Sequence, residues 1–182
     1  MVKEEGVAPT PAKSSAIAAS PRRKPANVEG FSLVEALIVV TLVGLLAALA
    51  LPALSEARAK ANLAAARDAF AAAHALARQV APQYGRLARL WIDPPAGRFW
   101  VTVDTSTVPD RSVLDTVGPL VDVGSRFGGV RLDSNRRALC FDPNGLGTAA
   151  VGCELPNATV IFRRRGFADT VTTSRLGRLL KR

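Results

Sequence analysis

The chain has 182 residues, 48% of them apolar but only 5% aromatic, and carries a formal net charge of +9. That length holds one modest domain plus extra segments, and the positive balance favours acidic partners: nucleic acid, anionic lipid or an acidic protein. Two cysteines, Cys140 and Cys153, and one histidine are too few for a disulfide-rich scaffold and speak against a protein-only zinc site.

Residues 1–30 are rich in Ala, Pro, Ser and Lys and show no apolar periodicity, which predicts disorder. They include a basic cluster, Arg22, Arg23 and Lys24. From Phe31 to Leu51 the texture changes: the polar side chains in these 21 residues are Ser32, Glu35 and Thr41. As a helix this run is roughly 30 Å long, one bilayer core. Basic residues before it predict a cytoplasmic N-terminal side, with the bulk of the chain in the periplasm of a Gram-negative cell. Pro52 can kink such a helix without ending it. The stretch "ALSEARAKANLAAARDAFAAAHALARQVA" is a strong helix former. Its charges, Arg58, Lys60, Arg67, Asp68 and Arg78, are interleaved with Leu54, Ala57, Ala61, Ala64, Phe70 and Leu76. One long helix is predicted, its first half in lipid and one side of its second half on a soluble domain. Pro82 and Gly85 mark its end.

Beyond Arg86 the pattern turns to β. In "RFWVTVD", Phe99, Val101 and Val103 share one face, and Arg98, Trp100 and Thr102 the other. "ALCFD", "ATVIFRR" and "DTVTTS" are further short strands, separated by Gly, Pro, Asn and Asp clusters such as "DPPAG" and "DPNGLG". Residues 105–129 are weakly patterned and read as a long loop with one short strand. The fold class is α+β: a long N-terminal helix, its first half transmembrane, on a small, mostly antiparallel β domain. Four segments follow: 1–30 a leader, 31–52 the transmembrane half of the helix, 53–81 its periplasmic half, and 86–182 a β-rich globular domain.

Glu35 is out of place in an apolar run. A lone carboxylate in hydrocarbon costs about 2.5–3.5 kcal/mol at a helix centre and less near its end. A plain transmembrane anchor leaves it unexplained. A secretory signal cut near "ALALPALSEA" has a fitting basic n-region, but the apolar run is long for one, and the twin arginine of "SPRRKP" is a poor match to an export motif. In a third reading, cleavage after Gly30 creates an α-amine on Phe31. That amine can pair with Glu35 in the same chain or in a neighbouring helix. In low dielectric the pair is worth far more than in water, and either charge left alone is costly, so stacking helices acquires a register.

At these residues the sequence resembles a known family. "GFSLVEALIVVTLVGLLAALALP" is similar to the class III signal of type IV pilins and type II secretion pseudopilins, with Gly30, Phe31, Glu35 and Pro52 in the family's places. The resemblance implies processing by a membrane prepilin peptidase, which cuts after Gly30 and methylates the amine of Phe31. It also implies anchoring in the bacterial inner membrane and partnership with other pilins or pseudopilins through the N-terminal helix. Two departures stand out: thirty residues is long for the leader, and Glu29 occupies a place that is usually basic. Farther on, "HALARQVAPQYGRLARLWI", "LCFDPNGLG" and "VTTSRLGRLLKR" resemble, in order, pieces of the GspH/FimT group of minor pilins and pseudopilins. That group implies a β domain of two small sheets and a role at the tip of a type II secretion pseudopilus or in building a type IV pilus.

The remaining candidates are weighed residue by residue. Cys140 and Cys153 enclose a 12-residue loop. In an oxidising periplasm they can form a disulfide worth on the order of 3 kcal/mol, or else remain two buried thiols. His74, without a credible nucleophile, reads as a surface or packing residue. Asp93, Asp104, Asp110, Asp115 and Asp122 match no calcium-binding spacing. No enzyme activity, metal or cofactor is expected. Arg163, Arg164, Arg165, Arg175, Arg178, Lys181 and Arg182 crowd the last twenty residues, opposed by Asp169 alone. On adjacent strands they would form one stripe able to neutralise phosphates, with steeply salt-dependent affinity. They would serve equally as a solvated face or as a dock for an acidic subunit. Some FimT-like pilins are linked to DNA capture through arginines of the closing region. That resemblance makes Arg175 and Arg178 candidates for DNA binding.

Overall fold

A computed structural model of the chain describes residues 31–106, 113–150, 152–153 and 157–181. The disorder expected for residues 1–30 lies outside these. Two compact units are present, one up to Leu42 and one from Val43 onward.

The helix α1 runs from Leu33 to Tyr84 without interruption at Pro52. Up to Leu54 its residues are exposed on every side. From Ala59 the pattern changes to a single buried stripe: Ala59, Leu63, Ala66, Phe70, His74, Ala77 and Ala81. The steps of three and four keep these residues on one face of the helix. The charged and larger exposed residues lie off it. Most of the other apolar residues in this stretch, including Leu54, Ala57 and Ala61, are also outside the stripe.

Two antiparallel sheets complete the second unit. One has the strand order β3-β2-β1-β5-β6, built from β1 (Ala88–Asp93), β2 (Arg98–Asp104), β3 (Leu114–Asp122), β5 (Ala138–Phe141) and β6 (Gly147–Thr148). The other has the order β4-β7-β8-β9, from β4 (Arg131–Ser134), β7 (Ala158–Arg164), β8 (Phe167–Thr173) and β9 (Leu179–Lys181). A short helix, α2 (Val123–Arg126), links β3 to β4, with the Asp122 carboxylate accepting from the Ser125 N–H at its start. The expected alternation in β2 is present: Phe99, Val101 and Val103 are buried on the core side.

Residues 105–129 depart from the expected loop. β3 has nine residues and pairs with β2 along its length. Its weak pattern has a physical cause. It is an edge strand exposed on both faces along most of its length, Val121 being its one buried residue, so burial imposes no alternation on it. Its register also slips: Phe99 pairs with Val121 and Val101 with Val117, so Gly118, Pro119 and Leu120 bulge opposite Trp100.

Phe70 joins the layers. Its ring meets Phe99 of the first sheet edge-on at 5.4 Å and Phe162 of the second at 6.0 Å, and none of it is exposed. Truncating such a residue leaves a cavity at the meeting point of helix and both sheets. Phe70→Ala is expected to cost about 3–5 kcal/mol, read as a lowered denaturation midpoint of the full chain in detergent micelles.

Candidate functional site

Four features carry functional weight: the start of α1, the disulfide, and two groups of arginines. At the start of α1, Phe31 is 82% exposed and Glu35 lies in the first helical turn, also exposed. Among the described residues Glu35 has no ion-pair partner within the chain. The most apolar 18-residue window of α1 has a mean hydropathy of 2.7, and none of it is buried. Such a surface is suited to lipid or to other helices and poorly suited to water. Gly30 lies outside the described residues.

Cys140 and Cys153 are joined as a disulfide, with Cα atoms 6.0 Å apart. Leu139 and Phe141 of β5 face the main core, whereas Cys140 packs with Ala138, Leu87 and Trp91 on the other side of the sheet. The bond thus holds the segment after β6 over that outer side. The turn before β6, "DPNG", is built by Asp142, whose carboxylate accepts from the N–H groups of Asn144 and Leu146. Gly145 has φ +72°, and a Cβ there would stand 3.0 Å from the Arg78 carbonyl oxygen of α1. Arg78 in turn donates to the Gly145 carbonyl at 3.0 Å.

The basic residues do not form the single stripe expected from their clustering. β7 and β8 are joined by a turn at Arg165–Gly166, and β8 and β9 by a turn over Ser174–Arg178. The seven residues of β8 separate the two turns. Arg163, Arg164 and Arg165 therefore sit at one end of the sheet, and the exposed Arg175 and Arg178 at the other. α1 gives the same separation. Arg164 approaches the Arg58 carbonyl at 3.5 Å, whereas Arg178 lines a hollow with Arg78, about 30 Å farther along the helix. Lys181 pairs with Val171, midway along β8, and Arg182 lies outside the described residues. Asp169 does not oppose these groups either. It pairs with Arg67 of α1 at 3.1 Å.

The scattered aspartates are structural. Asp104 accepts from the Ser106 and Val113 N–H groups, and Asp122 caps α2 and pairs with Arg98 at 3.2 Å. Asp110 lies outside the described residues. Among the described residues, no three of His, Cys, Asp and Glu gather to hold a metal ion.

Residues 25–51 match the Prokaryotic N-terminal methylation motif. The start of the chain is thus similar to that of prokaryotic proteins methylated at their N-terminus. Two crystal structures of the type IV minor pilin FimU from Pseudomonas aeruginosa PAO1 are similar to it at 15% identity. One covers 66% of this chain and 92% of the FimU chain with a TM-score of 0.46, and the other 68% and 90% with a TM-score of 0.48. No curated protein matches the sequence. The matched methylation motif and the apolar helix are consistent with anchoring in a membrane through the N-terminus.

His74 is packed into the core. It is 3% exposed and meets the Phe141 ring edge-on at 5.1 Å. Burial, reinforced by the charge of Arg78, lowers its pKa to about 4 against the opposing effect of a hydrogen bond with the Gly177 backbone. The unfolded chain, with an ordinary imidazole, binds more protons between about pH 6.5 and pH 4. The neutral form therefore favours the fold above that window, and the advantage is lost as pH falls through it. The full loss is about 3 kcal/mol. His74→Leu is expected to flatten the stability profile between pH 6.5 and pH 4 relative to the parent, measured by denaturant titration across that range.

Proposed function

We propose that the protein is a minor pilin or pseudopilin, a structural and assembly subunit of a type II secretion pseudopilus or a type IV pilus. It is matured by prepilin peptidase through cleavage after Gly30 and methylation of Phe31. It sits in the bacterial inner membrane with its N-terminus cytoplasmic and the β domain periplasmic. The observation that carries this reading is Glu35, an exposed carboxylate in the first turn of an apolar helix inside the matched methylation motif. The amine of Phe31, on the same chain or a neighbour, is its natural partner, and only maturation creates that amine. The basic cluster Arg22–Lys24 supports the cytoplasmic start, and the disulfide supports an oxidising compartment for the β domain.

The mature form decides the matter. Protein from host membranes is expected to begin at Phe31 and to weigh about 14 Da more than that sequence, one methyl group. A start beyond Ala50 would mean a cleaved secretory signal, and an intact Met1 a plain anchor. Glu35→Val is expected to insert and be processed normally yet to lose crosslinking to other pilins in host membranes; undiminished crosslinking would remove the pairing from the account.

One observation favours a second reading, a pilus-displayed DNA-binding module. Arg175 and Arg178 are exposed on one tight turn, in which the Ser174 and Gly177 backbones hydrogen-bond. On that reading the full chain retards duplex DNA in a salt-dependent manner, and Arg175→Ala with Arg178→Ala abolishes the retardation. Binding that survives the double substitution would exclude these residues.

A further inference from the structure

The other arginine group has a different setting. Arg131, Arg163, Arg164 and Arg165 line an open cleft of about 530 Å³, together with Phe167 and neighbouring glycines. Two features of this cleft work against the fold. Arg131 and Arg163 lie directly opposite each other on β4 and β7, a cross-strand like-charge pair that destabilises a sheet. Asp133 relieves it only from Arg163, through an exposed contact at 3.2 Å. Arg165 has φ +46°, and Gly166 after it +83°. This turn suits Asn or Gly at its first position, not a long cationic side chain. An anion in the cleft would relieve the repulsion, and the contact it makes with Arg165 would offset the backbone cost there.

The cleft's place on α1 indicates which anion. Arg164 touches the Arg58 carbonyl, Lys60 lies 5.0 Å from the centre of the Phe167 ring, and a Cβ on Gly128 would stand 2.9 Å from Asn62. The cleft is thus held beside residues 58–62. Arg58 is seven residues past Leu51, the last residue of the apolar run, or about 10 Å of helix. If that run spans a bilayer, the cleft lies at headgroup depth, while Arg175 and Arg178 lie at the far end of the domain.

We propose that this cleft docks the phosphodiester headgroups of anionic phospholipids, seating the β domain on the membrane surface in the unassembled subunit. Guanidinium groups suit this role because their paired N–H donors match phosphate oxygens. The proposal rests on the membrane-spanning reading of α1. It also gives the two arginine groups different ligands, which a single nucleic-acid stripe does not.

The test uses the full chain in lipid nanodiscs, of phosphatidylcholine alone or mixed with phosphatidylglycerol, with amide hydrogen exchange followed over residues 162–168. Anionic lipid is expected to slow exchange there by about fivefold or more, since each arginine near such a surface contributes about a fivefold preference. High salt should remove the difference. Arg131→Gln with Arg165→Gly, which removes two of the four arginines, should cut the difference severalfold, and because this variant relieves both the repulsion and the left-handed strain, it should fold at least as well as the parent. Equal exchange in the two lipids overturns the proposal and leaves the membrane reading intact. Equal protection in phosphatidylcholine discs from inorganic phosphate overturns it in favour of a free-anion site, and from duplex DNA in favour of nucleic acid. A chain that does not enter the discs overturns the membrane reading and this proposal together.

Discussion

Phe70 is where one helix and two sheets become a single core. Its ring touches Phe99 and Phe162, one from each sheet, so neither sheet closes over α1 without it. Alanine fills most of the rest of that stripe: Ala59, Ala66, Ala77 and Ala81 bring the backbone of α1 close to the strands. Close approach in turn allows the contacts that fix the functional features, such as the Arg78–Gly145 pair that seats the turn before β6 and the Arg67–Asp169 pair that ties α1 to β8.

Much of this was legible in the sequence, and what was not had physical reasons. β2 and β7 occupy the stretches their alternation marks, because each has one face on the core. The apolar run and Glu35 stand out because lipid and water impose opposite demands. β3 escaped because an exposed edge strand with a bulge has no alternation to read. β4, four residues with a single buried side chain, is short enough to pass for loop. Alanine also conceals the buried face of α1: it fits the core and the surface equally, so composition predicts the helix without saying which way it turns.

The arginines show how a cluster in sequence separates in space. Within about twenty residues a chain can cross a sheet and return, and each reversal carries its turn residues to the opposite end. Charge counting groups Arg163 with Arg178, but hairpin topology parts them by the length of β8. Register tells more than proximity: only the pairing of β4 with β7 puts Arg131, thirty-two residues earlier, opposite Arg163. The electrostatic burden of the cleft could not be read from the closing segment alone.

The bulge in β3 bears on whether copies of the chain can join edge to edge. Sheets grow by adding strands at open edges, and an exposed nine-residue edge would invite another copy to join there. Pro119 offers no N–H at that edge, and the displaced residues around it break the ladder opposite Trp100. The remaining edges, β4, β6 and β9, are four residues or fewer. Among the described residues, strand addition is thus blunted at every open edge, and growth by extending the sheets is disfavoured. Copies zipped through their sheets would make amyloid, whose contacts are too stable to come apart, and the edges of this domain oppose that outcome.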